Sequence, residues 1–339
     1  MKYVLFTLNG FLELFKKRGE KTLFEYTKKG NFEDFINKGQ WGFVFLEETI
    51  ERGYFEFFLK SENFPGEGFL RALKYKIPVN TQDSFFIAKF VFSDDMKILE
   101  TDVKLNFMEK IKLLEDIKKI ENNFEYYVYD EDIILKFKED FPLIETFFPN
   151  EIKGFLIETL FYRNRKFETI NKIMKISKEI LEVHEINKVR LDLNEVPANF
   201  LYIYGLGRHK EKICLNDILK RKIFYFSNSK ILNGIVEFLK IENLKKIEKL
   251  KDEEIYWLNF SADFKLLPSM LIKNFEFFSQ EVLKEIPYRE DTRFLFIFDP
   301  FINENLKVKK MYSLFLAVNF YKVKRKYKRA NLLFQEFLK

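Results

Sequence analysis

Pro197-Ala198-Asn199-Phe200-Leu201-Tyr202-Ile203-Tyr204-Gly205-Leu206-Gly207-Arg208 is the stretch around which the rest of the chain falls into place. From Phe200 to Tyr204 apolar and aromatic residues alternate over a strand's length, which reads as a short buried strand. Gly205-Leu206-Gly207 is then expected to end it. Glycine accepts backbone angles that a bulky residue resists, and it lets a ligand or another chain segment come close. Two glycines after a strand read first as a tight turn. Alone, the stretch fixes an element and leaves its purpose open.

With 339 residues the chain can bury one large core or two moderate ones. Hydrophobic residues make up 47% and charged residues 32%, a globular balance. The 43 phenylalanines point to an aromatic-rich core. Cys214 is the single cysteine, which excludes an internal disulfide and suits a reducing cytoplasm. No run of about 18 apolar residues occurs, so no membrane span is expected. Met1 leads directly into an alternating strand, Tyr3 to Leu8, without a signal-peptide pattern, and the expected location is cytoplasmic.

The formal net charge is +6. Much of it gathers between Lys322 and Arg329, where Lys322, Lys324, Arg325, Lys326, Lys328 and Arg329 interleave with Val323 and Tyr327. Such a segment reads as a solvated terminal helix, or as a nonspecific nucleic-acid patch.

The Asn199–Arg208 stretch resembles the Asn-x-x-Trp-x-Trp-Gly-x-Gly segment of the archaeal-type, cofactor-independent phosphoglycerate mutases, members of the alkaline phosphatase superfamily. Upstream, Met174, Ser177, Leu181, His184, Asn187 and Arg190 fall where that family has Met-x-x-Ser-x-x-(Ile)-Leu-x-x-His-x-x-Asn-x-x-Arg. Downstream, Asn233-Gly234-Ile235 is similar to its Lys-Gly-Ile. The resemblance implies a three-layer α/β fold of the alkaline phosphatase type carrying one inserted α/β domain. Residues 1–84 and 195–339 would form the discontinuous core, and residues 85–194 the insertion.

The family's activity, as the resemblance implies it, needs two divalent metals (Mn or Zn) and a serine nucleophile. This chain departs from that set. The first strand ends in Leu8-Asn9-Gly10 where the family has Gly-Asp-Gly, so a metal-binding aspartate is replaced by Asn9. The nucleophile segment reads Glu47-Glu48-Thr49-Ile50, and Thr49 is its only hydroxyl. Pro65-Gly66-Glu67-Gly68 stands in place of Thr-Gly-Arg-Gly, so a phosphate-binding arginine becomes Glu67, which repels a phosphate ester. Asn150 replaces a family histidine. Asp263 and Asp299 are retained, whereas the three metal-histidine positions hold Leu267, Pro300 and Lys309.

A two-metal site needs about six protein ligands and an activated nucleophile. The chain has only two histidines, His184 and His209. His184 suits packing or capping, and His209 could line a cleft beside Arg208. Left without a metal, Asp263 and Asp299 would repel each other, and Lys309 is placed to be the compensating cation. One such pair, at about 4 Å and an effective dielectric near 20, is worth roughly 4 kcal/mol before desolvation. The expectation is a catalytically degenerate mutase-like protein that binds no cofactor and serves a protein or small-molecule partner. The alternative is an active mutase or related metal-dependent phosphotransferase.

Overall fold

A computed structural model describes residues 1–9, 11–15, 17–18, 21–46, 50–129, 132–227, 229–230, 232–245, 250–261, 268–286, 288–299, 311–318, 326–327 and 330–338. The described chain falls into two compact units. The first takes Met1–Phe64 and the chain from Lys212 onward, and the second takes Pro65–Glu211. The second is therefore inserted between two halves of the first. The crossings expected at 84/85 and 194/195 both fall inside it, because the helix at 67–74 and the far end of the glycine-bearing strand pack within the same unit.

In the first unit an eight-stranded sheet runs β11-β10-β12-β1-β13-β14-β4-β15. The strands are β1 (Lys2–Asn9), β4 (Gly39–Leu46), β10 (Ile223–Ser227), β11 (Glu242–Asn243), β12 (Ile255–Ser261), β13 (Thr292–Asp299), β14 (Met311–Val318) and β15 (Lys326–Tyr327). A separate hairpin pairs β2 (Lys17–Arg18) with β3 (Lys21–Thr22). β10, β12, β1 and β13 are mutually parallel, so their carboxyl ends share one edge. Period-two alternation assigns β1 to two cores. Val4, Phe6 and Leu8 join a phenylalanine cluster with Phe32 and Phe35 of α1 (Phe32–Lys38) and Phe275 of α9 (Pro268–Phe277). Phe6 stacks on Phe296 with ring centroids 4.6 Å apart.

Residues of the opposite parity meet a second helical layer. The Trp257 ring lies against Phe58 of α2 (Ile50–Phe58), with centroids 4.8 Å apart, and Phe58 against Phe334 of α11 (Ala330–Leu338) at 5.0 Å. α8 (Asn233–Phe238) adds Phe238 against Phe55, and the short α7 (Leu215–Leu219) leads into β10. Helix, sheet and helix thus make the expected three layers. One reading needed correction here. Lys326 and Tyr327 of the basic segment are not helical but extend beside β4, and the terminal helix begins at Ala330. Main-chain pairing to a distant strand overrides a local charge pattern. α9 gives way to a π turn at Phe278–Val282 before α10 (Leu283–Glu285).

The second unit carries β5 (Ser84–Asp94), β6 (Lys97–Glu100), β7 (Glu125–Val128), β8 (Ile133–Phe137) and β9 (Phe200–Arg208), all paired antiparallel. α3 (Glu67–Lys74) lies against β5 and β9, and α5 (Glu168–Glu182) against β9 and α4 (Phe107–Ile120). α4 starts at a reciprocal cap, in which Asn106 Oδ1 accepts from Glu109 N and Glu109 Oε2 from Asn106 N. The short α6 (Glu185–Asp192) returns the chain to β9.

Candidate functional site

Parallel strands bring the most telling residues to one edge of the first unit. The register sets Asn9 level with Ser261 of β12 and Asp299 of β13, at the carboxyl ends where open α/β sheets bind ligands. The side chains of Asn9 and Asp299 lie outside the described set, as do residues Thr49, Asp263, Leu267, Pro300 and Lys309. What is described is the row two residues earlier. Trp257 Nε1–H donates to Thr7 Oγ1 at 3.0 Å, Thr7 Oγ1–H donates to Asn259 Oδ1 at 2.8 Å, and Asn259 Nδ2–H donates to Ser227 Oγ at 3.0 Å. Thr7 and Asn259 are buried. A polar chain therefore crosses β12, β1 and β10 just inside the edge.

Two phenols border this row. Tyr54 and Tyr225 both pack on Trp257, and among the described residues neither buried hydroxyl has a hydrogen-bond partner. Burial pushes the Tyr225 hydroxyl pKa up; Ser227 and Asn259 lie close enough to oppose the shift without completing a bond. Sequence reasoning passed over this row. The signal was there, since Thr7, Ser227 and Asn259 each put a polar residue near the end of an otherwise apolar strand.

In the second unit the glycines do not end the strand as the sequence suggested. β9 continues to Arg208 through a bulge: Phe85 faces Gly207 and Ile87 faces Tyr204, so two residues, Gly205 and Leu206, oppose Phe86 alone. Gly205 adopts φ +63°, the left-handed region that such a bulge demands. Gly207 serves a different need, because a Cβ there would lie 2.1 Å from Phe69 N at the start of α3. Gly68 is its counterpart: its Cβ would lie 2.3 Å from Phe85 O. Helix and strand meet backbone to backbone.

The polar residues of the resembling run are equally occupied. Asn199 accepts from Ser93 N at 2.8 Å and donates to Ser93 O at 2.7 Å. Asn187 donates to Leu181 O and Ala198 O and accepts from Ala198 N. Arg190 ties Val196 O, Lys104 O and Glu109 together. His184 caps α6: Ile186 N–H donates to Nδ1 at 3.1 Å, which leaves Nε2–H to donate to Asp116 at 2.9 Å. Lys119 first, and then His184, hold the Asp116 carboxyl below its ordinary range. Arg208 pairs with Asp140 at 2.9 Å on the surface, and His209 packs edge-on against Phe69. Glu67 opens α3, and Asn150 sits exposed in the turn Pro149–Glu151.

One element had no place in the sequence reading. Arg71, buried on α3, pairs with the buried Asp132, which also accepts from Tyr75 Oη at 2.6 Å and pairs with Lys74 at 3.4 Å. An arginine inside the apolar run Phe69-Leu70-Arg71-Ala72-Leu73 was the available clue.

No family model matches the chain. The 2,3-bisphosphoglycerate-independent phosphoglycerate mutase 2 of Methanocaldococcus jannaschii is 23% identical over 276 residues, 72% of this chain. The chain is similar to that phosphoglycerate mutase over most of its own length. It spans 64% of that relative's length. Among solved structures, a cofactor-independent phosphoglycerate mutase from Thermoplasma acidophilum aligns with a TM-score of 0.52 at 15% identity, over 96% of this chain and 91% of that one. The PH0037 protein from Pyrococcus horikoshii aligns with a TM-score of 0.60 at 14% identity, over 99% and 92%. The fold is shared along almost the whole chain. No described helix is long and apolar enough to cross a membrane.

Proposed function

We propose that this chain keeps the phosphoglycerate mutase scaffold for binding and has lost the mutase's two-metal chemistry. The observation that carries the reading is the donor set that the sequence supplies at the metal positions the resemblance implies. Asn9 offers a neutral oxygen where a carboxylate would hold a divalent cation, Leu267 and Pro300 offer no donor, and Lys309 brings a positive charge. These residues do not fit a pair of divalent metals. Asp263 and Asp299 are explained instead as anions compensated by Lys309. Glu67 discourages a phosphate ester, and the polar residues of the Met174–Arg208 run are already engaged within the second unit. The basic segment Lys322–Arg329 supplies nonspecific electrostatics and is not the basis of the function.

The retained Asp263 and Asp299 are what favours the second reading, an active mutase or related phosphotransferase with two Mn or Zn ions. Metal content after dialysis, read beside an enolase-coupled assay in added Mn, separates the two. The binding reading expects no stoichiometric metal and no turnover. Two tightly held metals per chain, or turnover that Thr49→Ala abolishes, would overturn it.

A further inference from the structure

The second unit's sheet treats its exposed strand edges unequally. The outward backbone groups of β9 are closed by hydroxyls: Ser177 Oγ accepts from Leu201 N at 3.0 Å, Tyr162 Oη donates to Ile203 O at 2.8 Å, and Thr146 Oγ1 accepts from Gly205 N at 2.9 Å. β6 is covered by the chain's own segment 154–157, through Ile98 N to Phe155 O, Gly154 N to Ile98 O and Ile157 N to Met96 O. β7 has neither device. Its ladder to β8 is anchored at the hairpin by Tyr129 N to Asp132 O, 2.8 Å. Alternation from that pair turns Tyr127 and Glu125 inward to β8 and leaves the N–H and C=O groups of Tyr126 and Val128 facing out. No described residue bonds them.

Edge strands of monomeric proteins are blunted by lysine, proline, bulges or a covering segment. Glu125-Tyr126-Tyr127-Val128-Tyr129 contains no lysine and no proline, and all five residues are half-buried. We propose that β7 pairs antiparallel with β7 of a second copy of this chain, across a two-fold axis at Tyr127, as a weak, concentration-dependent dimer. The strand is self-complementary in that register. Tyr126 of one copy lies opposite Val128 of the other, so the four outward N–H groups meet four outward C=O groups. Tyr127 faces its own counterpart, and Glu125 lies opposite Tyr129, so no like charges are opposed. The inference is independent of what the first unit binds, and its test needs no ligand.

Sedimentation of the full chain from low to high micromolar should show a shift toward twice the mass of one chain. Val128→Pro removes an outward N–H without touching the ladder to β8, and the loss of two of four bonds should weaken association by roughly tenfold to a hundredfold. Tyr127→Cys in a Cys214→Ser background provides a second readout. Position 127 is a non-hydrogen-bonded pair, whose Cα atoms approach to about 4.5 Å. Diamide should therefore convert it to a covalent dimer, whereas Tyr126→Cys should stay uncrosslinked. A chain that remains monomeric throughout, a Val128→Pro variant that dimerises as well as the parent, or equal crosslinking at 126 and 127 would each overturn the proposal.

Discussion

The run from Met174 to Arg208 and the strand-end edge of the first unit carry the two halves of the mutase resemblance, and they differ in what their residues do. In the run, residues that look chemical are spent on architecture. The Asn199 amide is closed onto Ser93, Asn187 binds three backbone groups, and the glycines admit α3. At the edge, the backbone register is fully formed and brings Asn9 beside Ser261 and Asp299, while the proposed reading holds that the residue types have changed. A motif can therefore be held in place because a fold requires it, whether or not chemistry operates beside it. Fold alone does not carry function.

The largest effect should come from the run. A Cβ at Gly207 would sit 2.1 Å from the backbone of Phe69, and no side-chain rotation relieves that. Gly207→Ala should cost about 3 kcal/mol or more in urea unfolding. A loss below about 1 kcal/mol would mean that the close approach of α3 and β9 is not what retains the glycine.

Next in size is Asp132, whose environment is a buried balance of charge. Burial alone would raise its pKa; Arg71, Lys74 and the Tyr75 hydroxyl more than reverse that, so the folded carboxyl titrates below its unfolded value. A depressed folded pKa contributes stability above the unfolded value of about 3.9, and that stability is lost as pH falls through the folded one. Asp132→Asn should cost about 3 kcal/mol at neutral pH by stranding the Arg71 charge, and should flatten the acid limb of the stability curve. If the variant keeps the parent's acid limb, another carboxylate sets it.

How much of this was legible follows the range of the interaction involved. Local periodicity predicts β1 closely, and the His184 cap lies within reach of its own helix. The continuation of β9 was not legible. Sequence shows that Gly205 and Gly207 tolerate unusual geometry, but not that β5 holds the chain extended through them. Lys326 and Tyr327 took their conformation from β4, some 280 residues away. The π turn at Phe278 adds one residue to a helical repeat, which apolar spacing alone absorbs without a trace. The sequence singled out Asn9, Leu267, Pro300 and Lys309 through the resemblance; of these only Asn9 has a described register, and its pairing with Asp299 needed the sheet.

Arg208 gives the smallest effect and the finest discrimination. It belongs to the resembling run, yet unlike Asn187 or Gly207 it is about a third exposed, and its partner Asp140 is more exposed still. A solvent-screened pair of this kind is worth roughly 0–1 kcal/mol. Arg208→Ala should therefore leave the urea midpoint almost unchanged, in contrast to Gly207→Ala only one residue earlier. The same variant also probes binding, because Arg208 is a positively charged residue that solvent reaches at the end of the run. On the proposed reading, in which Glu67 stands where the resemblance implies a phosphate-binding arginine, titration calorimetry with 3-phosphoglycerate should show no heat for the parent at millimolar ligand. If the parent binds in the micromolar range and Arg208→Ala abolishes the binding, the run retains ligand chemistry after all. The division between an architectural run and an altered edge would then fail.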